Sequence, residues 1–90
     1  MPEIKLISVA VIGKPAEIVK AEIYGPLAIH ESINDKGGVT VTHIKLSRAV
    51  LKNVTHEVAL KFIKDTEKID WSDVKANRYQ IELAIAKAKA

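Results

Sequence analysis

The pattern of apolar and polar positions is organised around Gly37 to Asn53, GGVTVTHIKLSRAVLKN, where β-branched residues are concentrated and turn-forming residues stand at either end. This stretch reads as one good strand, a tight turn at Leu46-Ser47-Arg48 and a short strand over Ala49 to Lys52. The apolar parity changes at His43, from Val39 and Val41 to Ile44 and Leu46, so a bulge or the strand's end is expected there. Upstream, Leu27 to Ile33 folds back across Asn34-Asp35-Lys36-Gly37-Gly38, residues that tolerate a left-handed backbone. A turn centred near Lys36 and Gly37 sets His30 opposite or nearly opposite His43, on one face of the sheet.

Glu3 to Ile12 is apolar on both parities, which suits a strand covered on both sides, by helices or by another subunit. Gly13-Lys14-Pro15-Ala16 breaks it. Glu17 to Tyr24 fits two descriptions. As a strand it puts Val19, Ala21 and Ile23 on one face; as a helix it has Pro15 in its first turn and Gly25-Pro26 as a stop. The flanking β-like segments favour the strand, because so short a helix is marginal without strong packing. Gly25-Pro26 then becomes a bulge or kink in one long edge strand.

Thr55 is placed as an N-cap, with Glu57 in the first turn to meet the helix dipole. The pattern predicts a helix to about Lys68 that buries Val58, Ala59, Phe62, Ile63 and Thr66. Asp70 and Ser72 are possible caps, and Trp71 is expected to close one end of the core. A second helix runs from about Asp73 to near the end, with Val74, Ile81, Ala84, Ile85 and Ala88 on one face and Tyr79, Leu83 and Ala86 on another. A helix apolar on two sides is usually packed twice, so a homodimer is expected.

The fold expected is therefore α+β in one domain spanning residues 1–90. It has an antiparallel sheet of four strands, one helix packed on it, and a C-terminal helix completing the core or a dimer interface.

Composition narrows function mainly by exclusion. The chain of 90 residues has no cysteine, which removes disulfide frameworks, zinc ribbons and thiolate nucleophiles. A domain this small buries only about two thirds of the surface its unfolded chain exposes, so help from a partner subunit would matter. With one Trp, one Phe and two Tyr, the core must be aliphatic. Nothing at the N-terminus resembles a signal peptide, and the longest apolar run, Leu6 to Ile12, is too short to span a bilayer. A cytoplasmic protein with no membrane partner is expected, in which the Asn53-Val54-Thr55 sequon carries no glycan.

Charge is unevenly spread. Residues 1 to 35 sum to −2, residues 36 to 64 to +5, and the remainder balances. In the central segment Lys36, Lys45, Arg48, Lys52, Lys61 and Lys64 face Glu57 alone. A segment of one sign is what a polyanion would seek, and these six are the candidate nucleic-acid-binding residues, contacting phosphates without regard to sequence. A solvated basic face with no partner is the blander explanation. Stacking on single strands would need sheet aromatics, for which Tyr24 is the only candidate.

Catalytic signatures are weak. His30, His43 and His56 recur every thirteen residues, and Glu31 or Glu57 could join them around a metal; histidines on strands are more often half-buried and hydrogen-bonded, so neither metal nor cofactor is expected. Val11-Ile12-Gly13-Lys14-Pro15 lacks the earlier glycine and the following Ser/Thr of a phosphate loop. Ser8, Ser32, Ser47 and Ser72 have no elbow or adjacent acid-base pair. An enzyme with a small-molecule substrate is not expected.

Two resemblances add to this. The order of strands followed by helix looks like the single-strand-binding sheets of the transcription-coactivator and Whirly type, as an analogy of architecture without a shared motif. GPLAIHESI, GGVTVTHIKLSRAV and IDWSDV, across roughly residues 25 to 73, resemble small phage- or prophage-encoded proteins of unknown function. Leu46-Ser47-Arg48 stands where a glycine-containing turn is expected in them. The resemblance implies an origin and carries no catalytic residue. The leading expectation is a non-catalytic accessory protein binding DNA or RNA; the alternative is a homodimeric structural or protein-interaction module.

Overall fold

The computed structural model describes residues 3–11, 13–32 and 37–89. Five strands follow one another, β1 (Glu3–Val11), β2 (Lys14–Tyr24), β3 (Leu27–Glu31), β4 (Val39–His43) and β5 (Arg48–Val54), and two helices follow them, α1 (His56–Asp65) and α2 (Arg78–Lys89). Each strand pairs antiparallel with the next, in the spatial order β1-β2-β3-β4-β5. The protein is thus α+β, as expected. Glu17 to Tyr24 is strand rather than helix and begins earlier, at Lys14. The hairpin turn before it includes Gly13 at φ +74°.

The sheet has five strands, not four, because Gly25-Pro26 is a turn and not a kink. Tyr24 pairs with Leu27 and Ile23 with Ala28 across these two residues. Gly25 at φ +60° supplies the positive-φ first position of a type II′-like hairpin turn, and Pro26 suits the negative-φ second position.

The register of β3 on β4 also departs from expectation. Glu31 pairs with Val39, His30 with Thr40 and Leu27 with His43. The two strands pair about a centre that lies before Lys36 and Gly37, and Ser32 N–H donates to the Gly38 carbonyl at 3.0 Å beyond the last ladder pair. A shift of three residues is odd, so His30 and His43 lie on opposite faces. Lys36, like Ile12 and the rest of 33–36, lies outside the described residues.

One face of β3, β4 and β5 carries Leu27, Ile29, Val41 and Leu51, which pack with Ala59, Phe62, Trp71 and Ile81 as the main core. Thr55 caps α1, its side-chain oxygen accepting from Val58 N–H at 3.2 Å. Ala59, Phe62 and Thr66 are buried, while Val58 and Ile63 are half-buried. Thr66 ends this helix by donating its hydroxyl to the Phe62 carbonyl at 2.8 Å. The second helix starts at Arg78 and not at Asp73: the Asp73 carboxylate accepts from Ala76 N–H at 3.1 Å, and the Asn77 amide donates back to the Asp70 and Asp73 carbonyls, holding a turn.

The opposite face has a second, smaller core of Ile7, Val9, Ala21 and Ala28, flanked by Val19, Ile23 and Ile44. Ala28 and Thr42 on this face are fully buried although both helices pack on the other. Their cover comes from the sheet itself, which rolls until β1 lies close to β5 without forming a ladder with it.

Candidate functional site

The six cationic candidates do not occupy one element. Lys45 and Arg48 stand at the β4–β5 turn, Lys52 within β5, and Lys61 and Lys64 on α1; these five are exposed. Leu51 points into the main core, so the next residue, Lys52, faces the other side of the sheet from α1. Lys61 and Lys64 lie away from the stripe made by Ala59 and Phe62. The fold therefore puts Lys45 with Arg48 and Lys61 with Lys64, and sends Lys52 to the opposite face. Among the described residues none of the five forms an ion pair; the pairs seen are Lys5–Glu3, His56–Glu22 and Arg78–Glu82.

The histidines have separate roles. His30 Nδ1 lies 2.9 Å from the Glu31 carbonyl, so it donates, which leaves Nε2 to accept from the Thr42 hydroxyl at 2.6 Å. His43 takes the reverse tautomer: Leu46 N–H donates to Nδ1 at 3.2 Å, and Nε2–H donates to the Trp71 carbonyl at 2.8 Å. Both rings are buried. His56 begins α1 at the surface and meets Glu22 at 2.7 Å. Among the described residues no group of three or more such side chains is arranged to hold a metal ion.

Glu22 Oε1 receives both His56 Nε2 and the Tyr24 hydroxyl, the latter at 3.1 Å. The His56 hydrogen bond lowers the Glu22 pKa; partial burial opposes this, while the Tyr24 bond and the His56 charge add to it. Burial and the neighbouring Glu22 raise the Tyr24 pKa. An open groove beside the pair is lined by Ile4, Lys20, Glu22, Ile29, Val39 and His56.

Beyond Glu22 the helix layer stops. Ile4 pairs with Glu22, Leu6 with Lys20 and Ser8 with Ile18, so Ile4, Leu6 and Ile18 continue the helix-side face of the sheet onto the β1–β2 hairpin. They remain 52%, 70% and 65% exposed. On α2, Tyr79 and Leu83 are likewise exposed. The double apolar parity of Glu3 to Ile12 was the only signal for the hairpin surface, since it calls for cover on both sides; the roll of the sheet covers just one. No helix among the described residues is long and apolar enough to cross a membrane. No family model, curated protein or solved structure matches the chain.

Proposed function

We propose that this domain is a non-catalytic protein-interaction module that works as a homodimer. The observation supporting it is the exposure of large apolar side chains on two elements, Ile4, Leu6 and Ile18 on the β1–β2 hairpin and Tyr79 and Leu83 on α2. Ile4, Leu6 and Ile18 are neighbours on one face of the hairpin, and a small domain gains stability by burying such a patch against a second copy. In this reading the second copy covers one of these two surfaces, the outer face of the hairpin or the outer side of α2, whose inner side gives Ile81 to the core. Sedimentation across a wide concentration range should give the mass of two chains; a single-chain mass at the highest concentration would falsify the reading.

A second reading is binding of DNA or RNA through Lys36, Lys45, Arg48, Lys52, Lys61 and Lys64. Its support is that the five described members are exposed and unpaired by carboxylates, leaving their charge available to phosphates. Affinity for a mixed-sequence single strand should fall steeply with added salt, and Lys45→Glu with Arg48→Glu should flatten that dependence. Absence of binding at low ionic strength disposes of it.

A further inference from the structure

The outer face of the β1–β2 hairpin is complementary to itself. Lys5 pairs with Ala21, and on either side of that pair the face presents Ile4 and Leu6 from β1 and Glu22 and Lys20 from β2. A two-fold axis lying between two such faces, perpendicular to the strands at the Lys5/Ala21 level, reverses strand direction and keeps strand order. Ile4 then lies over the partner's Leu6, and Leu6 over the partner's Ile4. On the neighbouring strand Lys20 lies over the partner's Glu22, and Glu22 over the partner's Lys20. One operation thus covers the aliphatic residues and pairs the charges.

We infer that a second copy of this chain docks on the hairpin's outer face about this axis, with Ile4 and Leu6 in the contact and reciprocal Lys20–Glu22 ion pairs beside it. The inference rests on the homodimer reading and names its surface. Three further observations support it. Among the described residues Lys20 has no ion-pair partner. Both intramolecular bonds to Glu22 use Oε1, which leaves Oε2 to accept from the partner's Lys20. The helix layer reaches this face only at Glu22, where His56 meets it, and leaves Ile4 and Leu6 open to a second hairpin.

Because the chain has no cysteine, single thiols report the axis directly. Sheets stacked face to face stand about 10 Å apart, beyond the reach of a direct disulfide, so with a short bismaleimide a mixture of Ile4→Cys and Leu6→Cys should give more cross-linked dimer than either variant alone, since the axis sets each residue over the other and not over itself. In sedimentation Leu6→Glu should raise the dissociation constant at least about tenfold, whereas Leu83→Glu should leave it unchanged. A dimer that survives Leu6→Glu and is lost in Leu83→Glu overturns the inference and leaves the homodimer standing, with its interface on α2. Equal cross-linking in the mixed and separate samples overturns the axis. A wild-type monomer at every concentration overturns the homodimer reading itself.

Discussion

His43 Nε2–H donates to the carbonyl of Trp71 at 2.8 Å, tying the end of β4 to the segment between the two helices. The same ring accepts from Leu46 N–H in the β4–β5 turn and lies 5.8 Å from the Trp71 indole, itself 6.5 Å from Phe62. One buried imidazole thereby fixes a strand end, a turn and the helix connection. It has a structural role that leaves no ring nitrogen free for catalysis.

Replacing it isolates that role. His43→Leu keeps comparable bulk but leaves the Trp71 carbonyl and Leu46 N–H without their partner, and should cost about 2–4 kcal/mol. His56→Leu removes only a surface partner and should cost less than about 1 kcal/mol. Denaturant titration followed by fluorescence of Trp71, the only tryptophan, measures both. Equal losses in the two variants would contradict the assignment.

Two turn positions should respond to substitution in opposite directions. A Cβ on Gly38 would run into the Asn53 side chain and come within 3.2 Å of Asn53 Cα, so Gly38→Ala should destabilise by about 1–3 kcal/mol. Ser47 sits at φ +53°, a backbone that costs a β-carbon-bearing residue about 1–2 kcal/mol. Ser47→Gly removes that cost but adds freedom to the unfolded chain, for a net gain of up to about 1 kcal/mol. Thermal melts of the two variants should therefore move apart from the wild type in opposite senses.

The Glu22–His56 pair makes stability depend on acid. The folded Glu22 pKa lies below the unfolded one, chiefly through the His56 hydrogen bond, so the folded protein holds this carboxylate more firmly than the unfolded chain does. Its contribution is complete above the unfolded value of about 4.3 and is lost as the pH falls through the lower folded value. The two side chains are 31% and 49% exposed, which limits the effect to about 0.2–1 kcal/mol. Stability of wild type and Glu22→Gln should differ by that amount at pH 5.5–6 and converge in stronger acid. A difference that widens below pH 4 would exclude this account.

Local chemistry made much of the chain legible. Thr55 as cap, the Ala59–Phe62–Thr66 stripe, burial of Trp71 and the β character of Glu17 to Tyr24 follow from side-chain periodicity and hydrogen-bonding groups within a few residues of each other. What only the tertiary structure decided was longer in range. Gly25-Pro26 suits a kink or a turn equally until β3 has a partner, and the β3–β4 register depended on where the two strands centre their pairing, which composition does not set. The site posed the same difficulty. Lys52 and Lys61 are nine positions apart in one basic segment, yet strand alternation and helix rotation send them to different sides of the sheet. Ile4 and Leu6 looked like core residues because hydrophobicity records what must be buried, not what buries it. The roll of the sheet covered one face of their hairpin and left the other open, and roll is a property of five strands together, which no single strand encodes.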